Sequence, residues 1–116
     1  MTAIKLGTSN QLNKQQAIIQ CPVSYTLTKI GGRWKPIIIF SLLSGTKRYS
    51  ELKRGIPTIT EKMLIQHLRE LEADNLIQRN VMPVVPPHVE YCLTEAGKEL
   101  SPVMEAMVGW ANKHDR

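Results

Sequence analysis

The run from Ser50 to Asp74, SELKRGIPTITEKMLIQHLRELEAD, limits the folds open to this chain more than any other stretch. Two helix-forming segments are separated only by Gly55, Ile56 and Pro57 and a short threonine-rich lead. A glycine with a proline two residues on stops a helix and turns the chain, so the two segments must meet at a sharp angle. Ser50 reads as the N-cap of the first, ahead of Glu51, Leu52 and Lys53. Thr60 reads as the N-cap of the second, with Ile59 and Leu64 placed for a hydrophobic staple. Thr58 with Glu61 also matches a capping box, so the start is set only to within about two residues. At about 100° per residue, Leu64, Leu68 and Leu71 share one face, and Lys62, Gln66, Arg69 and Ala73 fall on the opposite one. Leucines on one side and a line of donors without an acid on the other suit a helix laid against phosphates and base edges. Asp74 and Asn75 end it.

Upstream, Val23, Leu27 and Ile30 recur at helical spacing after Cys21 and Pro22, and Gly31 and Gly32 end that segment. Trp34 to Leu43 follows, with Pro36 in its first turn, where a missing amide donor costs little. Its residues are apolar almost all round, so this helix is expected to be central and buried. Thr46 to Arg48 is a brief extended piece. Downstream the period changes. Leu76 to Met82, a proline-rich tip from Pro83 to Pro87, and the alternation of Val89, Tyr91 and Leu93 with His88, Glu90 and Cys92 predict an antiparallel hairpin. Thr94 is expected to cap a last helix with a wide apolar stripe of Leu100, Val103, Met104, Met107, Val108 and Ala111. This order is that of a winged helix-turn-helix, a mostly helical α+β fold with a two-stranded wing and flanking dimerisation helices. Residues 21–113 are read as one such domain, and 1–20 as a polar extension in which a short dimer-associated helix is conceivable.

Charge is distributed to match. The 116-residue chain carries a formal net charge of +5, and between Lys29 and Arg69 the bases Lys29, Arg33, Lys35, Lys47, Arg48, Lys53, Arg54, Lys62 and Arg69 face only Glu51 and Glu61. Such a focused field suggests a polyanionic partner, because neutralising phosphates releases counterions; a solvated basic face is the plain alternative. In the helix-turn-helix geometry the second helix enters the major groove of double-stranded DNA, with Lys62 and Gln66 best placed for bases. Arg69 and the amide and hydroxyl of Ser50 are then expected at phosphates, and Arg79 and His88 on the wing at backbone or minor groove.

The segments CPVSYTLTKIGGRW, KRYSELKRGIPTITEKMLIQHLRELEADNLIQR and VPPHVEYCLTEAGKEL resemble the HxlR-type bacterial winged-helix regulators, distant relatives of the MarR type. The resemblance spans about Cys21 to Trp110. It implies a homodimer that binds a near-palindromic operator as repressor or activator. Family members often carry Arg where this chain has His88, so contact there is expected to be weaker or pH dependent; Thr60 keeps the capping hydroxyl that is typically Ser in similar proteins. Several HxlR-type proteins sense electrophiles, quinones or oxidants through the cysteine of the Cys-Pro pair, which marks Cys21 as a redox-sensing candidate. A thiol at a helix start has a physical reason to be reactive, and the competing reading is a small buried hydrophobe. Cys92 is read as a spare strand residue.

Other classes are disfavoured. His67, His88 and His114 lie on different elements, and no phosphate loop or nucleophile elbow is present, so no enzyme is expected. No ligand cluster suggests a metal, and no cofactor is implied. The cysteines are too few and too distant for a disulfide framework, and no apolar run is long enough for a signal peptide or a membrane span, which leaves the cytoplasm as default. A winged helix used only for protein contacts, without sequence-specific DNA binding, is the alternative. An oxidant or small-molecule inducer is compatible with either. The apolar stripe of the last helix, with Met104 and Met107 expected at the surface, fits a homodimer contact.

Overall fold

The computed structural model describes residues 21–114. The expected extension 1–20 and its conceivable helix lie outside the described residues. The chain divides into two compact units, Met1–Gly32 and Arg33–Arg116.

In the first unit, α1 spans Pro22–Ile30, with Cys21 as N-cap and Pro22 in the first turn. Its apolar face, expected from the spacing, is largely open: Val23 and Leu27 are exposed, and Ile30 is buried. Gly31 ends the helix by donating its N–H to the Leu27 carbonyl at 2.8 Å.

In the second unit the order is α2 (Lys35–Leu42), β1 (Lys47–Arg48), α3 (Tyr49–Gly55), α4 (Glu61–Ala73), β2 (Ile77–Met82), β3 (His88–Leu93), α5 (Glu95–Lys98) and α6 (Ser101–Lys113). Just ahead of α2 the Arg33 guanidinium lies 4.6 Å over the Trp34 ring, a cation–π contact that gives the Gly-Gly-Arg-Trp run a local structural use. The expectation that α2 is buried all round is corrected. Ile38, Ile39 and Leu42 are buried, but Phe40 is 53% exposed, so the helix turns one apolar side outward.

The helix-turn-helix forms as read, with one change at its start. Ser50 is not the N-cap of α3; Arg48 is, and its backbone N–H donates to Glu51 Oε1 at 2.8 Å. The acid three residues on serves the first turn, so the helix can start one turn-residue pair earlier than a serine cap implied. Thr60 caps α4, its hydroxyl accepting from the Met63 amide at 3.1 Å. Ile59 and Leu64, the staple pair, are both buried. At the far end Asn75 takes φ 61°, and the amides of Asn75 and Leu76 return to the Glu72 and Leu71 carbonyls. That pair of reversed bonds is a Schellman stop, which satisfies the last carbonyls of α4 and throws the chain into β2.

β2 and β3 form the expected antiparallel hairpin, from Ile77↔Leu93 to Met82↔His88. The two-stranded wing gains a third strand: β1 pairs with β3, placing Lys47 beside Tyr91 and Arg48 beside Glu90, in the order β1-β3-β2. The core gathers Ile38, Ile39, Leu42, Leu52, Leu64, Leu68, Leu71, Ile77, Tyr91 and Leu93. Leu64, Leu68 and Leu71 therefore anchor α4 as their spacing implied.

The single last helix is also corrected. Thr94 caps only the short α5, accepting from Gly97 N–H at 3.1 Å while donating to the Asn75 carbonyl at 2.7 Å. A Cβ on Gly97 would strike the Leu76 carbonyl oxygen, so this close packing on the hairpin base requires glycine. The chain restarts as α6, where Met104 is buried rather than at the surface. Val103, Met107, Val108 and Trp110 remain exposed. No helix among the described residues is long and apolar enough to cross a membrane.

Candidate nucleic-acid interface

With three leucines held inside, α4 turns Lys62, Gln66 and Arg69 to solvent, all three exposed. They line a shallow concavity of about 470 Å³ together with Ile65 and Glu70. The line of donors is not free of acid, as the sequence suggested. Glu70 lies one turn beyond Gln66, and Gln66 Nε2 donates to its Oε2 at 3.2 Å. The other carboxylate oxygen, Oε1, meets Lys35 Nζ of α2 at 2.7 Å. The hydrogen bond from Lys35, then that from Gln66, holds the Glu70 carboxyl below the usual carboxylate range.

A second groove, of about 540 Å³, opens between α4 and the hairpin. Arg69 and Glu72 of α4, Arg79 of β2, Val89 and Tyr91 of β3, Tyr49 and Ile65 line it. Arg69 and Arg79 are thus brought together from two elements. The Tyr49 hydroxyl is buried and has no hydrogen-bond partner among the described residues. Desolvation first, then the proximity of Glu61 and Tyr91, raises its pKa, so it remains a proton donor well above neutrality.

Not every candidate joins this surface. The strand pleat puts His88, Glu90 and Cys92 on one face of the hairpin and Val89 and Tyr91 on the other, and Arg79 sits opposite Tyr91. His88 therefore lies on the face away from Arg79, with its Nε2 2.9 Å from Glu90 Oε2. Ser50 is exposed in the first turn of α3. Cys92 is half-buried and receives a 3.8 Å contact from Asn80 Nδ2. Among the described residues no three His, Cys, Asp or Glu side chains group to hold a metal ion.

Sequence reasoning missed Lys35, Tyr49 and Glu70. The i, i+4 spacing of Gln66 and Glu70 was a readable signal. Lys35 and Tyr49 had none, since their roles arise from packing between elements.

Cys21 is exposed at the start of α1. The Ser24 backbone amide, then its hydroxyl, then the Val23 amide lower the thiol's pKa below its ordinary value.

Residues 29–116 match the model of the HxlR-like helix-turn-helix family. An uncharacterized HTH-type transcriptional regulator of Methanothermobacter thermautotrophicus is 47% identical over 94 residues, covering 81% of this chain and 72% of that protein. The solved structure of the redox regulator HypR in its oxidized form is 46% identical with a TM-score of 0.78, covering 83% of this chain and 99% of that one. The reduced form of the transcriptional regulator YodB from Bacillus subtilis is 38% identical with a TM-score of 0.71, covering 83% and 95%. A helix-turn-helix with an outward basic face, a wing beside it and relatives of this kind have one consistent meaning: the chain belongs to the HxlR-like family of helix-turn-helix transcriptional regulators.

Proposed function

We propose that this regulator acts as a homodimer that reads a near-palindromic double-stranded operator through α4. The observation that carries the reading is the outward face of Lys62, Gln66 and Arg69 opposite three buried leucines. Lys62 and Gln66, in the first half of the helix capped by Thr60, reach base edges; Arg69, deeper, meets phosphate. In the groove between α4 and the hairpin, Arg69 and Arg79 form a donor pair for one backbone phosphate. Ser50 adds a hydroxyl at the exposed start of α3. His88, already engaged by Glu90, contributes a weaker contact on the other side of the wing.

The exposed apolar residues of α6 are what the dimer would bury. Single exposed hydrophobes need no explanation, but Val103, Met107, Val108 and Trp110 fall together on one 13-residue helix. Two copies would set recognition helices about 34 Å apart, one turn of duplex. Residues 21–113 would form the DNA-binding domain and 1–20 an extension. The test is a salt series of binding to the DNA upstream of the protein's own gene against random duplex. A preference of about a thousandfold with two protomers per site is expected; equal, steeply salt-dependent binding to both would overturn sequence-specific reading in favour of a protein-contact module.

A redox or electrophile response through Cys21 is favoured by its exposure and lowered pKa, and by the similarity to the redox regulator HypR, solved in its oxidized form, and to YodB, solved in its reduced form. Diamide treatment should change operator affinity of the native chain and leave Cys21→Ser unaffected; the same response in both would remove the assignment.

A further inference from the structure

We infer that Lys35 and Glu70 are positioning residues that set the Gln66 amide to select adenine at one base pair of each half-site. The inference rests on Gln66 being a base-reading residue, and it adds which base and what holds the side chain.

The geometry is a chain of three groups from the core side outward. Lys35 on α2 is largely covered, its side chain 12% exposed, whereas that of Glu70 is 43% exposed. One Glu70 oxygen is held by Lys35 at 2.7 Å. The second oxygen accepts from Gln66 Nε2 at 3.2 Å. His67 flanks the first oxygen at 3.6 Å on the same helix. A glutamine amide can turn over and exchange its oxygen and nitrogen with little change in shape. Here the turned form would place the amide oxygen against a carboxylate oxygen, replacing an attraction with a repulsion. The carboxylate therefore fixes the amide with its nitrogen inward along the helix, and Lys35 fixes the carboxylate.

What remains for DNA is the amide oxygen and the second N–H. That acceptor and donor match adenine, which offers an N6 amino donor beside the N7 acceptor in the major groove. Guanine shows two acceptors there and thymine an acceptor and a methyl group, and both would also face the nearby Glu70 charge. Cytosine offers a donor only. Adenine is thus the base that satisfies both free groups of a glutamine held this way.

The full-length chain and its variants should each be selected on a randomised duplex library, followed by affinity measurements on the selected site and its single-base replacements. The native protein should prefer adenine at one position per half-site, and Gln66→Ala should erase that preference alone. Glu70→Ala and Lys35→Met should reduce it by about tenfold, and in Glu70→Ala binding to random duplex should be no weaker, since an anion leaves the DNA face. Glu70→Gln, which keeps the side-chain size and guards against a folding defect, should admit guanine at the same position. Retained adenine preference in Glu70→Ala and Glu70→Gln would overturn the positioning role while leaving Gln66 a reader. Selection of guanine or thymine at the Gln66 position by the native chain would overturn the assignment of the base. Failure of the native chain to select any sequence would instead sink the proposed function itself.

Discussion

Removing one oxygen from Tyr49 should raise stability and leave DNA affinity unchanged. In the free protein the hydroxyl is closed off from solvent and has no hydrogen-bond partner among the described residues. A buried donor left unpaired costs about 1–3 kcal/mol. Because the rest of the ring is only half-buried, the lower end applies, and Tyr49→Phe should stabilise the fold by about 1 kcal/mol. For a domain of this size that corresponds to a rise in Tm of roughly 4 °C. Tyr49 lines the groove with Arg69 and Arg79, but its oxygen is covered and reaches no phosphate there. A hydrogen bond to a charged phosphate would contribute about 1.5–3 kcal/mol, so with the hydroxyl covered neither operator nor random-duplex affinity should fall by as much as about tenfold. Thermal unfolding followed by circular dichroism reads the first effect, and fluorescence anisotropy at fixed salt the second. A lower Tm would show that the hydroxyl has a partner in the free protein. A loss of about tenfold in DNA affinity would show instead that the hydroxyl opens to phosphate in the complex.

Other outcomes follow from the same geometry. Alanine at Lys62 or Gln66 should cost about 1–3 kcal/mol of specific binding and relax one operator position, whereas Arg69→Ala should weaken all duplexes and reduce the salt slope by about one; equal loss at all three would defeat the division into base and phosphate contacts. Leu68→Ala empties a site that is 2% exposed in the core and should destabilise by about 2–5 kcal/mol in urea titration, a loss below 1 kcal/mol arguing that α4 is not anchored there. Gly97→Ala should lower Tm clearly, since its methyl group meets the Leu76 carbonyl with no room; an unchanged Tm would mean that α5 can shift freely on the hairpin. For Cys21 the lowered pKa means that thiolate persists to lower pH, so its rate of alkylation should reach half-maximum below the ordinary thiol range; a midpoint at or above that range would contradict the helix-start effect.

Much of this molecule was readable before any coordinates because its signals are local. The stop at Gly55 and Pro57, the Thr60 cap and the leucine spacing of α4 each depend on residues within a turn or two. The alternation in β3 likewise marked the hairpin. Errors arose where local signals compete. Ser50 looked like a cap, but Glu51 serves the Arg48 amide and the helix begins earlier. Thr94 has the signature of a cap for one long helix, yet the chain breaks after α5 and restarts at Ser101.

The candidate surface divides in the same way. Periodicity alone settled that Lys62, Gln66 and Arg69 share the side of α4 away from its leucines, because a helix of regular pitch leaves no other arrangement. Only tertiary packing decided what stands beside them. Lys35 reaches Glu70 from α2, and Arg79 joins Arg69 because the Schellman stop at Asn75 returns β2 past the end of α4. The hairpin register puts His88 on the opposite face and Met104 proves to be core. The physical reason is range: helix phase follows from bonds between residues four apart, whereas an ion pair or a groove between elements exists only once the core has fixed where those elements lie.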